Sequence, residues 1–253
     1  MRLHPAINSS ERKVLPFRSA TMSTQIVAQV RDALFARELR PGDFLGTEKD
    51  LAGRFGVSRI VARDALRTLE AQGVVDIKVG SGGGARIARG NARLFAEALA
   101  VQLDLAGVST SEIMDAQRAI ECLAAELAAV NSTAEDHARL RELIVDAESK
   151  INDVVAFTRS SREFHLAVAE ASHNRVLVVQ LISLQHVSWP ARNPTLTAKV
   201  ARRILDAHKE LASLIEIRDA AGARRLMDDH VKMIAARRVA EQRDKRSAEQ
   251  DCC

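Results

Sequence analysis

Residues 55–73 read FGVSRIVARDALRTLEAQG, and this stretch sets the fold of the front part of the chain. Gly56 tolerates the left-handed backbone that ends a short helix, Ser58 is a preferred helix N-cap, and Gly73 ends the next helix. Apolar residues between Ser58 and Gly73 recur at helical spacing, which predicts a helix from Ser58 to about Ala71. A short helix, a glycine turn and a longer helix form a helix-turn-helix.

The segments on either side complete a winged helix. A helix is predicted over 24–39, and Thr47 is expected to cap the short helix over 48–55, with acidic residues in its first turn. After the motif, β-rich runs at 74–79 and 85–88 flank a glycine-rich tip. That pattern predicts a β-hairpin of the kind that forms a wing.

From residue 91 onward helical patterning continues through about six or seven segments. Aromatic residues make up only 3% of the chain and Tyr is absent, so the core is expected to be aliphatic and rich in Ala. The predicted fold is mainly α, an N-terminal winged helix-turn-helix followed by an all-α bundle. Its divisions are a flexible extension (1–22), the DNA-binding domain (23–90), the helical domain (91–238) and a charged disordered tail (239–253).

Charge and cysteine usage narrow the class of protein. The net charge is +4, but residues 1–90 hold 15 Lys and Arg against 9 Asp and Glu, whereas the remainder holds 22 against 24. A basic front part favours a polyanionic partner, with a chance imbalance as the alternative. No cysteine spacing suits a disulfide framework or zinc finger, and no apolar run suits a membrane span or signal peptide. These features indicate a cytoplasmic protein with no membrane association.

The start of the second helix carries the residues expected to read DNA. Arg59 and Arg63 lie four residues apart on one helix face, and a guanidinium fork can bridge guanine acceptors or hold a phosphate. Ser58 can cap the helix and offer a hydroxyl to a phosphate. The alternative is a solvated basic face, with Arg63 paired to a nearby acidic residue. The glycine tip does not match a P-loop, so a wing on the DNA backbone is favoured.

Three histidines, His165, His208 and His230, lie in separate predicted helices of the back part. A histidine on an apolar face is more often a core or surface residue than a ligand. Three on different helices of a bundle can also converge on a divalent metal. Spacing leaves both interpretations open.

Two stretches of the front part resemble the GntR family of regulators. Residues 39–52, LRPGDFLGTEKDLA, are similar to its entry pattern, and residues 55–73 resemble its helix-turn-helix core. The family often has hydroxyl side chains where this chain has Ile60 and Val61, so those two are expected to alter base preference. The resemblance implies DNA contacts at Lys49, Ser58, Arg59, Arg63 and Gly80.

The back part resembles the FCD ligand-binding domain of the FadR subfamily. The similar stretches are RAIECLAAELAA (118–129), FHLAVAEASHN (164–174), AHKEL (207–211) and ARRLMDDH (223–230). The resemblance implies a divalent metal, Zn or Ni here, on His165, His208 and His230. The family's Asp, four residues before the first His, is replaced by Ser161, which weakens the expected site.

The same resemblance implies a small organic-acid or acyl effector. Arg118, Ser161 and Asn174 are the predicted effector-binding residues, with Arg118 holding a carboxylate because a buried Arg needs an anionic partner. The alternative for Arg118 is an ion pair with Asp115 or Glu121 on its own helix.

These features together predict a transcriptional regulator, a homodimeric repressor on a palindromic double-stranded operator, rather than an enzyme. An enzyme is the rival class, because three His with open metal positions resemble a catalytic zinc site, although no His-Glu-x-x-His motif is present. A third class is an architectural DNA binder whose helical domain only dimerises.

Overall fold

The computed structural model describes residues 21–80, 82–188 and 196–250, and the chain divides into two compact units between Asn91 and Ala92. The predicted N-terminal extension lies, apart from its last two residues, outside the described residues. The elements of the first unit are α1 (Met22–Phe35), β1 (Phe44–Gly46), α2 (Glu48–Phe55), α3 (Arg59–Ala71), β2 (Val75–Lys78) and β3 (Gly84–Ile87).

Local capping fixes the helix-turn-helix. The Thr47 side chain accepts from the Asp50 amide, and the Asp50 carboxylate accepts from the Thr47 amide, so a capping box begins α2. Gly56 ends that helix at φ 64°, and the Ser58 hydroxyl accepts from the Val61 amide at 3.3 Å. Both predicted caps are confirmed, because a side-chain oxygen at each N-cap satisfies an amide that lacks a helical partner.

The wing is a three-stranded antiparallel sheet in the order β1-β3-β2. Strands β2 and β3 form the predicted hairpin. Strand β1 was not predicted, because three residues are too few to show alternation. A Cβ on Gly83 would lie 2.3 Å from the Lys78 carbonyl oxygen, so the tip needs glycine there on steric grounds.

The second unit is a bundle of helices in the described residues. They are α4 (Ala92–Leu105), α5 (Thr110–Asn131), α6 (Ala134–Ser149), α7 (Val154–Ala171), α8 (Arg175–Ser188), α9 (Ala198–Glu216) and α10 (Ala220–Gln250). The main core lies among α5, α6, α7, α9 and α10, and Phe157, Phe164 and Met227 are fully buried in it. None of the helices described has the length and apolar character needed to span a bilayer.

The charged tail differs from its prediction. It was expected to be disordered from residue 239, but α10 continues to Gln250. Residues 239–250, VAEQRDKRSAEQ, are mostly strong helix formers, and they contain neither Gly nor Pro, so nothing in this sequence ends the helix.

Candidate nucleic-acid interface and metal centre

A groove between α3 and the wing is the candidate nucleic-acid interface. Four of the predicted contact residues line it, namely Lys49 on α2, Arg59 and Arg63 on α3, and Gly80 in the β2–β3 turn. These come from three separate elements, so the tertiary fold gathers basic side chains and an open backbone turn on one face. Such a face suits the phosphates and base edges of a duplex.

Arg63 is held in this groove by Glu48. Its Nε and Nη2 donate to the two carboxylate oxygens of Glu48 at 2.8 and 2.9 Å. The hydrogen bond from Arg63 lowers the pKa of Glu48 and raises that of Arg63. About half of the Arg63 side chain stays exposed. The acidic partner considered for Arg63 in the sequence is therefore present, and it comes from the preceding helix.

The other predicted DNA residues divide between solvent and core. Ile60 is 77% exposed, so its apolar side chain projects from the start of α3. Val61 is half-buried and packs on the core of the first unit. Ser58 is exposed while its hydroxyl caps α3. Of these three, Val61 is the one whose side chain the fold turns towards the interior.

The wing tip combines backbone exposure with an apolar side chain. Gly80 has φ 109° and its carbonyl accepts from the Gly83 amide at 2.9 Å, which closes the turn. Val79 beside it is 99% exposed. Arg86 on β3 lies over the Phe44 ring, 5.0 Å from the ring centroid, and donates to the Gly42 carbonyl.

The three predicted histidines meet in the core of the second unit. Their Nε2 atoms form a triangle, with 3.3 Å from His208 to His165, 3.3 Å from His208 to His230 and 3.2 Å from His230 to His165. One ring comes from each of α7, α9 and α10, and all three are at least 96% buried. Phe164 stacks on His208 with centroids 4.1 Å apart. Convergence of the three rings, left open by spacing, is therefore a feature of the fold.

The surroundings keep two of these rings neutral. Burial, reinforced by the other two histidines, lowers the pKa of His208 well below its usual value. Burial and the neighbouring His165 lower the pKa of His230 to about 3. Neutral imidazoles are the form that binds a metal, because the lone pair on nitrogen is then available.

The third ring is fixed by a carboxylate from another helix. Glu121 on α5 lies 2.6 Å from Nδ1 of His165, and both side chains are 1% exposed. Gln117, one turn earlier, donates to the other oxygen of Glu121 at 2.6 Å. An ionised carboxylate only accepts hydrogen bonds, so beside an ionised Glu121 the proton of the His165 ring would lie on Nδ1 and Nε2 would present its lone pair to the triangle.

The spacing of the triangle fits a bound divalent ion. With metal–nitrogen bonds of about 2.0–2.1 Å, two ligands of a tetrahedral site lie about 3.3 Å apart. The three Nε2 atoms have that separation, and they are the one group of ligand-bearing side chains in the described residues that meets metal-site spacing. The donor set of three imidazoles suits Zn²⁺ or Ni²⁺.

The predicted effector residues do not share one site. Arg118 is not buried; it is more than a third exposed, lies 3.5 Å from Asp228 on α10, and lines a surface pocket with Arg224 and Arg225. Its ion-pair partner is therefore Asp228 and neither Asp115 nor Glu121, the two acidic residues considered on its own helix. The Asn174 side-chain oxygen accepts from the amides of residues 176 and 177, so Asn174 acts at the start of α8.

Ser161 lines a small cavity, and three of the residues around it stand one helical turn from the three histidines. It is buried, one helical turn before His165 on α7. Ile204 and Ile234 stand one turn from the other two histidines and line the same cavity, together with Arg238. The space within measures about 30 Å³, enough for about two waters or one carboxylate group. Arg238 is 94% buried, so it is the deeply placed cation that the sequence assigned to Arg118.

Two functional candidates escaped the sequence analysis. Glu48 stood out only as a first-turn acid, and nothing local links it to Arg63, fifteen residues away. Glu121 was weighed only as a partner of Arg118. A signal for it existed, because Gln117 and Glu121 occupy positions on the otherwise apolar buried stripe of α5, where polar residues need partners.

Comparisons with known proteins agree with this architecture. The family described as bacterial regulatory proteins, gntR family, matches residues 22–84, and the FCD domain family matches residues 112–233. The Uxu operon regulator of Haemophilus influenzae is 30% identical over 203 residues, which cover 76% of this chain and 73% of that protein.

A second relative and a solved structure extend the likeness. The Uxu operon transcriptional regulator of Escherichia coli is 28% identical over 223 residues, covering 84% of this chain and 85% of that protein. A GntR structure from Streptococcus agalactiae has a TM-score of 0.63 at 22% identity, covering 86% of this chain and 99% of that chain. At that identity the structural likeness concerns the fold.

Proposed function

The chain belongs to the GntR family and is a transcriptional regulator with an FCD effector-binding domain, and we propose that it is a homodimeric repressor of a palindromic operator. The arrangement of Lys49, Arg59, Arg63 and Gly80 in one groove carries this proposal. Two such grooves in a dimer would meet two half-sites of a two-fold operator.

The start of α3 supplies the proposed DNA contacts. Arg59 at the first helical position and the exposed Ile60 would enter the major groove, while Ser58 and Lys49 would hold phosphates. Arg63 would exchange its Glu48 carboxylate for a phosphate or a guanine, because the pair is exposed and gains little from staying together.

The second unit supplies the proposed effector site. His165, His208 and His230 would hold Zn²⁺ or Ni²⁺, and the ion, when bound, offers open positions to a carboxylate oxygen. Ser161 and Arg238 line the adjoining cavity and would bind the acid group by a hydroxyl and a guanidinium. We assign the carboxylate to Arg238 rather than Arg118, since Arg238 lines the same cavity as Ser161 and Arg118 lines a different pocket.

The two rival functions, an enzyme and an architectural DNA binder, can each be distinguished from an effector-controlled repressor. Both matched families and the relatives above are regulatory proteins, so the chain is not an enzyme. An architectural binder would hold DNA equally well with or without a ligand. An effector-controlled repressor would loosen its hold as the effector shifts the placement of the two DNA-binding units.

Fluorescence anisotropy on the chain's own upstream DNA tests the proposal at fixed salt. Arg59→Ala with Arg63→Ala should weaken specific binding by about 100-fold or more, at about 1–3 kcal/mol per guanidinium contact. The control is Arg139→Ala with Arg141→Ala, two exposed arginines of α6, which should change nothing.

The same assay, repeated with Zn²⁺, Ni²⁺, a chelator and a panel of organic acids, tests the effector. Release by one acid would support the repressor. DNA affinity that no metal or acid alters would identify an architectural binder. Unchanged binding by the Arg59 and Arg63 double variant would remove the groove as the DNA site.

A further inference from the structure

The histidine triangle has an acidic side chain close by, on a different helix from Ser161. The resemblance put an acid at residue 161, where this chain has Ser. The buried Glu121 of α5 approaches the site from the other side and binds the outward nitrogen of His165 at 2.6 Å. Its charge is therefore one imidazole ring away from the position where the three Nε2 atoms meet.

Glu121 is held rigidly in this place. Gln117 donates to one of its oxygens at 2.6 Å, and the other oxygen contacts His165, so both ends of the carboxylate have a partner. Gln117, Glu121 and His165 are each at least 98% buried. A buried carboxylate is costly unless it is paired, and the pairs here are a neutral amide and an imidazole rather than Arg or Lys.

We propose that Glu121, clamped by Gln117, is a positioning residue that replaces the missing acid of the metal site by fixing the tautomer and orientation of His165 and supplying its negative charge. The inference rests on the proposed metal site. A hydrogen-bonded carboxylate makes a histidine a stronger ligand and locks the ring, and loss of such a partner typically weakens metal affinity by about 10- to 100-fold.

Charge balance supports the same assignment. A divalent ion binds imidazoles in their neutral form, so an ionised Glu121 would supply the one negative charge of the buried site. A divalent cation at the triangle would leave a net charge of +1, which one carboxylate of an organic acid would neutralise. Without Glu121 the same complex would keep an uncompensated charge in the core, which is expensive.

Metal affinity of the full-length protein tests the proposal. Competition with a chromophoric chelator gives the dissociation constants of Zn²⁺ and Ni²⁺ for the wild type, for Glu121→Gln and for Glu126→Gln. Glu126 lies on the same helix, but 37% of its side chain is exposed and it pairs with Arg224, so it is the matched control. We expect a 10- to 100-fold weaker constant for Glu121→Gln and no change for Glu126→Gln.

A spectroscopic measurement separates positioning from mere structural support. Nitrogen-15 NMR of the histidine rings in the metal-free wild type should show His165 protonated on Nδ1, whereas Glu121→Gln should give a mixture of tautomers, because an amide can donate as well as accept. The wild-type spectrum alone also tests the assignment if the variant does not fold. An Nε2-protonated His165 in the wild type would overturn the proposal.

The outcomes distinguish this inference from the proposed function. Tight metal binding by the wild type with an equal constant for Glu121→Gln would refute the role of Glu121 and leave the metal site standing. Absence of metal binding by the wild type would refute both the role of Glu121 and the metal site. DNA release by an organic acid in a protein that binds no metal would keep the repressor and eliminate Glu121's role.

Discussion

The two units each place a glutamate against the nitrogen of a side chain proposed to bind something else, but in opposite surroundings. Glu48 contacts Arg63 at the surface, where the two side chains are 39% and 51% exposed. Glu121 contacts His165 in the core, where both are 1% exposed. The surface pair is screened by water and salt, so an incoming phosphate can compete for the arginine. The buried pair has no competitor, so it acts as fixed support.

The largest effect should come from the buried region. His208→Ala removes one of three proposed ligands and leaves a void beside Phe164, so we expect metal affinity to fall by more than about 100-fold. In the wild type, metal at 100 times its dissociation constant should stabilise the fold by about 2.7 kcal/mol, and the variant should lose that increment. Thermal melts with and without Zn²⁺ measure it.

The matched control for this prediction is His186→Ala, which removes an exposed histidine on α8. It should retain the full metal-induced rise in melting temperature. An equal metal-induced rise in the melting temperature of His208→Ala would mean that the ion binds elsewhere. The buried Glu121–His165 pair would then have no metal site to support.

An intermediate effect is expected at the wing. Gly83→Ala places a methyl group 2.3 Å from the Lys78 carbonyl oxygen, which the turn cannot accommodate without moving. DNA affinity should fall roughly tenfold, equivalent to one charge-assisted hydrogen bond. Gly53→Ala is the control, because its methyl group meets nothing within 4 Å in the middle of α2. It should leave DNA binding intact and stabilise the fold by about 0.5–1 kcal/mol.

The smallest effect should come from the surface pair itself. Glu48→Gln removes an exposed ion pair, which contributes little to stability, so the melting temperature at pH 7 should fall only slightly. The hydrogen bond from Arg63 lowers the pKa of Glu48, so its contribution is present above about pH 4.5 and is lost as the pH falls below that value. DNA affinity, measured by anisotropy, should rise by less than about threefold as Arg63 is released. A tenfold loss of affinity would show that Glu48 aims Arg63 at a base.

The front unit was largely predictable because its signals are local. The Thr47 and Ser58 caps each act on a backbone amide three residues ahead, and Gly56 acts on its own backbone. The ion pair between Glu48 and Arg63 was not predictable, because it depends on how α2 packs against α3. Strand β1 was missed for two reasons: its three residues are too few to show alternation, and its partner β3 lies some forty residues later.

The back unit was predictable in kind but not in detail. Helical periodicity indicated the bundle, yet only packing brings His165, His208 and His230 to one point. The prediction that Arg118 is buried failed because residue 118 lines a surface pocket, where it pairs with the partly exposed Asp228 of α10. We propose the carboxylate-binding role for Arg238 instead. It lies on α10 one turn after Ile234 and two turns after His230.

An ion bound at the histidine triangle would also cross-link distant parts of the chain. The members of the triangle are separated by 43 residues between His165 and His208 and by 22 between His208 and His230. An ion held by all three would close two loops at a single point, as a pair of covalent cross-links does. By the chain-entropy relation, closing loops of these lengths restricts the unfolded chain by about 3–4 kcal/mol each. The supply of the ion would then set how much this cross-linking adds to the free energy of unfolding of the helical unit, independently of any thiol chemistry.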